Sequence, residues 1–315
     1  MKNNWCTRVL GGLALCASAV SAQGAVLFFD IFYNVFYYQT TSSPPSEYSA
    51  TNFAARLIAQ DGDVGEAAFS PLGADPFPLP EIAPSYFLYQ DNFATEAEAL
   101  DRYPAGTYGF FISGGSLGDQ SGFITRFGGP FWCEEVPAFT EGTFDAMQSV
   151  DASQDFVVAF NTFVAPGPAN IGITFFAIFD ESGAVVYLTS FGPDVGSANI
   201  PVGTLLPGKT YSAVIYFSSR VEEPSDDFGG TTEIIGFDRV TSAPLITRPN
   251  CVGDLNADGF VDDSDFVLFV VGYDILDCAD PAMPADCPAD LNRDGFVDDS
   301  DFVLFVAAYN ELLCP

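Results

Sequence analysis

Asp254–Val270 reads DLNADGFVDDSDFVLFV, and Asp290–Val306 writes it again 36 residues later with a single change, Arg293 in place of Ala257. Numbered from Asp254, side-chain oxygens fall at position 1 (Asp254), 3 (Asn256), 5 (Asp258), 9 (Asp262) and 12 (Asp265). Gly259 stands at position 6, and Phe260 at 7 offers its main-chain carbonyl. The second copy places Asp290, Asn292, Asp294, Phe296, Asp298 and Asp301 at the same positions, with Gly295 at the bend. Aspartates packed this densely repel one another unless a cation sits among them.

This is the spacing of a calcium-binding EF-hand loop, with Asp in place of Glu at position 12. Calcium takes six to eight hard oxygens at once. A short loop supplies them only if alternate side chains point inward and a glycine permits the sharp turn. A solvated acidic turn is the plain alternative for one copy, but two near-identical copies argue against it. The expectation is two calcium ions, one per loop.

The bulk composition agrees with such a role. Of the 315 residues, 42 are acidic, 10 are basic and none is histidine. Lys2 and Arg8 precede an apolar stretch, Val9 to Val20, and a small-x-small pattern ends at Ala22, so residues 1–22 read as a signal peptide. The stretch is too short to span a bilayer, and no later segment reads as transmembrane. Export and signal cleavage would leave 8 basic against 42 acidic residues, a net charge of −34. Such a polyanion is repelled by nucleic acid and by acidic membrane surfaces. Without histidine, serine–histidine and cysteine–histidine catalysis are excluded.

Proline and small residues precede each loop (RPNCVG, PAMPADCPA), so each repeat is loop then helix, with no entering helix. Paired units of this kind resemble the type I dockerin family. The resemblance covers Asn250 to Pro315, about a fifth of the chain. It implies two antiparallel helices about a pseudo-twofold axis, two calcium ions, and docking to a cohesin-like protein or a cell-surface partner. Loop positions 10 and 11, commonly Ser or Thr pairs in that family, are Asp263-Ser264 and Asp299-Ser300 here, and the helices carry no Lys or Arg. The closer likeness is to the cysteine-flanked, dockerin-like tails of bacterial secreted proteins. Cys251, Cys278, Cys287 and Cys314 follow the same 36-residue offset, and their spacing leaves all three pairings open. The way dockerin-like termini meet implies Cys251–Cys314 and Cys278–Cys287. Cys133 is left over and reads as a buried, reduced thiol.

The repeat helices are apolar all round. Phe266, Phe269, Val270 and Tyr273 form one face, and Val267, Leu268 and Val271 another. The second stripe has to meet either the rest of the chain or a partner.

Residues 23–248 read as short strands rich in Phe, Tyr, Val and Ile between Gly, Pro, Asp and Ser turns. Candidate strands are Val26–Tyr38, Tyr86–Gln90, Thr107–Ser113, Phe123–Phe127, Phe156–Asn161, Ile171–Asp180, Val185–Ser190, Tyr211–Phe217 and Glu233–Val240; Ala94–Tyr103 is a helix candidate. LLPGKTYSAVIYF, Leu205–Phe217, resembles the turn and strand of fibronectin type III and immunoglobulin-like domains, which makes Tyr211 a tyrosine corner. The fold class expected is mainly β: two β-sandwich-like domains, 23–130 and 131–248, then the small all-α module, 250–315. Glu98, Glu134-Glu135, Glu141 and Glu222-Glu223 are the carboxylates a glycosidase would draw on, but adjacent pairs usually decorate loops. A carbohydrate ligand is a second expectation, limited by Trp132 being the single tryptophan outside the signal segment. The sequence therefore reads as a secreted, non-catalytic protein for adhesion, display or ligand binding. A glycan-active component of a polysaccharide-degrading assembly is the alternative.

Overall fold

The computed structural model describes residues 26–248, 252–256, 258–285, 287–292 and 294–310. The architecture is mainly β, with two short helices in the front part and two longer ones near the C-terminus. The signal segment and Cys251–Cys314 lie outside the described residues. No helix among the described residues is long and apolar enough to cross a membrane.

Fourteen strands follow in order: β1 (Val26–Tyr38), β2 (Tyr48–Ala59), β3 (Glu66–Ser70), β4 (Phe77–Leu79), β5 (Glu81–Ala83), β6 (Tyr86–Phe93), β7 (Gly106–Ser113), β8 (Gln120–Arg126), β9 (Phe156–Ala159), β10 (Ile171–Phe179), β11 (Val185–Phe191), β12 (Ser197–Ile200), β13 (Thr210–Ser225) and β14 (Thr231–Ile246). Helix α1 (Glu96–Arg102) opens on a capping box in which Thr95 and Glu98 each satisfy the other's backbone N–H. Helix α2 is Glu141–Ala146.

One eight-stranded sheet dominates, in the order β11-β10-β13-β14-β1-β2-β6-β5. β1 lies near its middle, parallel to β14 and antiparallel to β2. Its sequence, VLFFDIFYNVFYY, is apolar at almost every position because both its faces are buried. Phe29, Ile31 and Tyr33 point one way, with Leu57, Ala55 and Phe53 directly opposite on β2. A four-stranded sheet, β4-β3-β7-β8, closes over this face with Phe69, Tyr108, Phe110, Ile112 and Ile124. Aromatic pairs fill the space: Phe53 stacks on Tyr103 at 3.8 Å and Tyr33 on Phe237 at 4.7 Å. A two-stranded sheet, β12-β9, completes the unit, and Phe139 and Phe160 pack on Phe176 of β10.

The other face of β1 carries Asp30, Phe32, Asn34 and Phe36, all buried. Asp30 receives a bidentate pair from Arg56 of β2, both contacts at 2.8 Å. The Phe32 ring packs against Gly236, where a Cβ would fall 2.1 Å from it. The Arg56 and Arg220 guanidiniums sit 4.5 and 4.9 Å from its centroid. Asp238 accepts the Ser218 hydroxyl at 2.6 Å.

The expected boundary near 130 does not separate two sheets. β1 and β14, from opposite sides of it, pair over eleven registered positions from Phe28↔Thr232 to Tyr38↔Ser242. Parallel pairing at so great a sequence separation leaves no local signal. The front part thus has sandwich-like layers on a shared sheet, in one compact unit that includes residues 26–150, 154–204 and 210–246. The second unit takes Asp151–Ser153, Leu205–Lys209 and the chain from Thr247. Tyr211 is buried at the start of β13, opposite Leu245.

Candidate metal centres in the repeat

Each repeat folds as a loop running into a helix: α3 (Asp263–Ile275) and α4 (Asp299–Tyr309). The helices start where they do because positions 9 and 12 form a capping box. Asp262 accepts the Ser264 N–H and is the N-cap, while Asp265 reaches back to the Asp262 N–H. Asp298 and Asp301 do the same for α4. Gly259 and Gly295 both sit at φ +94°, which is why the bend at position 6 takes glycine.

The loop side chains are held by the backbone they enclose. Asp254 accepts the N–H groups of Asp258 (3.1 Å) and Gly259 (2.9 Å), one on each oxygen. Asn256 Oδ1 accepts the Asp258 N–H at 2.9 Å, and its Nδ2 donates to Asp258 Oδ2 at 3.0 Å. Asp258 Oδ1 accepts the Phe260 N–H at 3.0 Å. Asp265 accepts from Leu255, Asn256 and Asp262. Asp290, Asn292, Asp294 and Asp301 repeat these contacts on their own loop, to within 0.1 Å. Asp265 and Asp301 are completely buried. Among the described residues no ion pair lies in this unit.

All twelve expected positions are thus gathered onto two loops. Phe260 and Phe296 expose their rings, so only their main chain is available at position 7. The donor set is hard oxygen throughout, which suits calcium or magnesium and not a thiolate metal. One described group of three acidic or thiol ligands lies within 4.8 Å: Cys278, Cys287 and Asp290. A disulfide joins Cys278 and Cys287, which removes both as ligands. The loop carboxylates of either repeat are spread more widely than that.

The two repeats pack reciprocally. Phe269 stacks on its own counterpart, Phe305, at 5.0 Å, and Phe266–Phe305 mirrors Phe269–Phe302 at 6.0 and 5.9 Å. The Tyr273 hydroxyl donates to Asp299, and the Tyr309 hydroxyl to Asp263. The C-terminal end of each helix is therefore latched to the start of the other, and the helices run antiparallel. The inter-repeat segment is sewn to the second loop by Cys278 N–H to the Gly295 carbonyl and Val297 N–H to the Leu276 carbonyl.

Several of the carboxylates weighed for catalysis make contacts within the fold. Glu98 caps α1, Glu222 lies 3.6 Å from Arg220, and Glu223 lies near Asn170. Sequence reading missed Glu233, which faces Glu223 across β13–β14; partial burial and the charges of Asp227 and Glu223 hold its carboxyl above the usual range. Only the β13–β14 register could have revealed that pairing. Trp132 is half-buried and makes a T-shaped contact with Phe237 at 4.9 Å. Cys133 is buried and free, donates to the Glu135 carbonyl, and has its thiol pushed up to about 12 by burial.

No family model and no curated protein matches the sequence. Among solved structures, the chain is similar to the BSP domain of a biofilm associated protein (13% identity, TM-score 0.20), over 72% of this chain and 29% of that one. It is similar to the FN1–FN3 domains of chicken CNTN1 (10%, TM-score 0.24), over 72% and 66%. A structure from a 1.5-MDa bacterial ice-binding adhesin, concerned with its retention on the host cell surface, is similar at 12% (TM-score 0.21), over 71% and 65%. The chain thus spans less than two thirds of each of these three. TM-scores this low assign neither a fold family nor a function, and the mainly β architecture rests on the sheets described above.

Proposed function

We propose that this is an exported, non-catalytic protein whose front β unit serves adhesion, display or ligand binding, and whose C-terminal repeat holds two calcium ions and docks to a partner protein. One observation carries the calcium reading: two loops with the same oxygen donors and the same backbone cage, each closed by a wholly buried aspartate that has no basic ion-pair partner among the described residues. A buried carboxylate needs compensation, and a divalent cation supplies it to several at once. Asp254, Asn256, Asp258, Asp262, Asp265 and the Phe260 carbonyl would hold one ion. Asp290, Asn292, Asp294, Asp298, Asp301 and the Phe296 carbonyl would hold the other. Binding would draw the carboxylates of each loop together. The pseudo-twofold packing and the dockerin resemblance support a cohesin-like or cell-surface partner.

Calorimetric titration of the full chain tests this. Two calcium ions per chain are expected, falling to one in Asp265→Ala and one in Asp301→Ala. A chain that binds no calcium sinks the reading.

A further inference from the structure

The outer sides of α3 and α4 point to the chemistry of the partner; this step rests on the docking role proposed above. Val267 is 63% exposed and its counterpart Val303 is 66% exposed. Val270 and Val271 extend this apolar face on α3, and Val306 and Ala307 extend its counterpart on α4. Each face is opposite the side its helix buries, Asp265, Phe269 and Gly272 on α3 and Asp301 and Phe305 on α4, so the module's own core does not use it. The position-10 aspartates do not compete for this role, because Asp263 and Asp299 are tied down by Tyr309 and Tyr273.

Charge decides what fits. Between Asn250 and Pro315 there are 15 acidic residues and one basic residue, Arg293. Two divalent ions would add four positive charges to −14 and still leave −10. A second copy brings the same charge and is repelled. The front part, residues 23–249, has 27 acidic and 7 basic residues. Of those seven, Arg56 and Arg126 are buried and Arg220 and Arg239 are half-buried. Acidic lipid surfaces are repelled as well. We propose that this valine face, carried by α3 and repeated on α4, binds a basic amphipathic protein surface, an apolar strip rimmed by Lys or Arg, on another chain.

The probe is a synthetic amphipathic helix with leucine on one face and lysine on the other, titrated onto the full chain in calcium. Its scrambled isomer and a leucine/glutamate version are the controls. Saturable binding of the leucine/lysine peptide alone is expected, weakened at least tenfold in Val267→Asp/Val303→Asp. Equal binding of the scrambled peptide, or an undiminished double variant, overturns the proposal. So does a calcium-dependent dimer that the same variant dissolves, since a second copy would then be the occupant. Calcium titration of the same samples separates the two levels. Two ions bound with no peptide binding overturns the docking surface alone. No ions bound, with peptide binding still lost in the double variant, overturns the calcium reading and leaves the docking surface standing.

Discussion

Asp30 in the front sheet and Asp265 in the first loop are both wholly buried, and both use both carboxylate oxygens, yet they are satisfied by different means. Asp30 meets a guanidinium, with two contacts of 2.8 Å to Arg56. Asp265 meets three backbone N–H groups and, among the described residues, no basic partner in an ion pair. Backbone dipoles satisfy its hydrogen bonds but leave its net charge in place. The front unit carries a counter-charge for its buried aspartate; in the repeat, under the calcium reading proposed above, a bound cation would supply it.

Removing calcium should sharpen that contrast most. At a hundred times Kd, each site contributes about 2.7 kcal/mol of linkage stabilisation, or ~5 kcal/mol for two independent sites. Thermal unfolding of the full chain should show a C-terminal transition that falls on chelation, beside a front-unit transition that does not move. A single transition indifferent to chelator would remove the difference between the two regions.

Breaking the internal counter-charge is the converse. Arg56→Met leaves Asp30 buried and unpaired, at a cost of about 3–5 kcal/mol. It also removes the cation over Phe32. Urea unfolding should show the loss in the front unit while calcium stoichiometry stays at two. Adding Asp30→Leu should return most of it, because the stranded charge is what costs.

Asp238 gives a smaller and pH-dependent version. Burial pushes its carboxyl up to about 6, against the lowering by Arg220, the Ser218 hydrogen bond and Arg56; Asp30 adds to the rise. Its folded pKa lies above its unfolded value, so the folded state holds the proton more tightly. Its contribution is therefore full below pH ~4 and is lost as pH rises through about 6. Two pKa units correspond to ~3 kcal/mol. Front-unit stability, measured in chelator, should decline over that window, and Asp238→Asn should flatten the decline.

How much of this was legible in the sequence differs between the regions. Val26–Tyr38 is strand β1 end to end, because a stretch in which ten of thirteen residues are Phe, Tyr, Val or Ile allows little else. Its neighbour β2 went unseen: Ala50, Ala54, Ala55 and Ala59 have weak strand preference, and tertiary packing overrides it. The pairing of β1 with β14 was illegible because two hundred residues separate them and parallel strands share no turn. In the repeat, by contrast, the donors, the bend and the helix starts lie within twelve residues, so each loop was readable locally. The Tyr–Asp latches were not, since each spans the two repeats.

The smallest effect concerns how the repeats differ. Gly272 on α3 corresponds to Ala308 on α4, and Gly253 before the first loop to Ala289 before the second. The structure crosses these pairs. A Cβ on Gly272 would fall 2.8 Å from the Ala289 Cβ, and one on Gly253 3.0 Å from that of Ala308. Each contact is one glycine against one alanine, so the repeats have diverged while keeping the space at each contact. Gly272→Ala should overpack the contact at a cost of about 1–3 kcal/mol, partly offset by the better helix propensity of alanine, at most ~1 kcal/mol. Gly272→Ala/Ala289→Gly moves the methyl across the same contact and should recover most of the loss. Gly253 sits at φ +100°, so the matching exchange there, Gly253→Ala/Ala308→Gly, should stay destabilised by backbone strain. Melting of the four single variants and the two double variants, in calcium, reads this directly. Recovery in the first exchange and not the second is the expected pattern. Equal behaviour in both would mean that the crossed contacts do not set the packing of the two repeats.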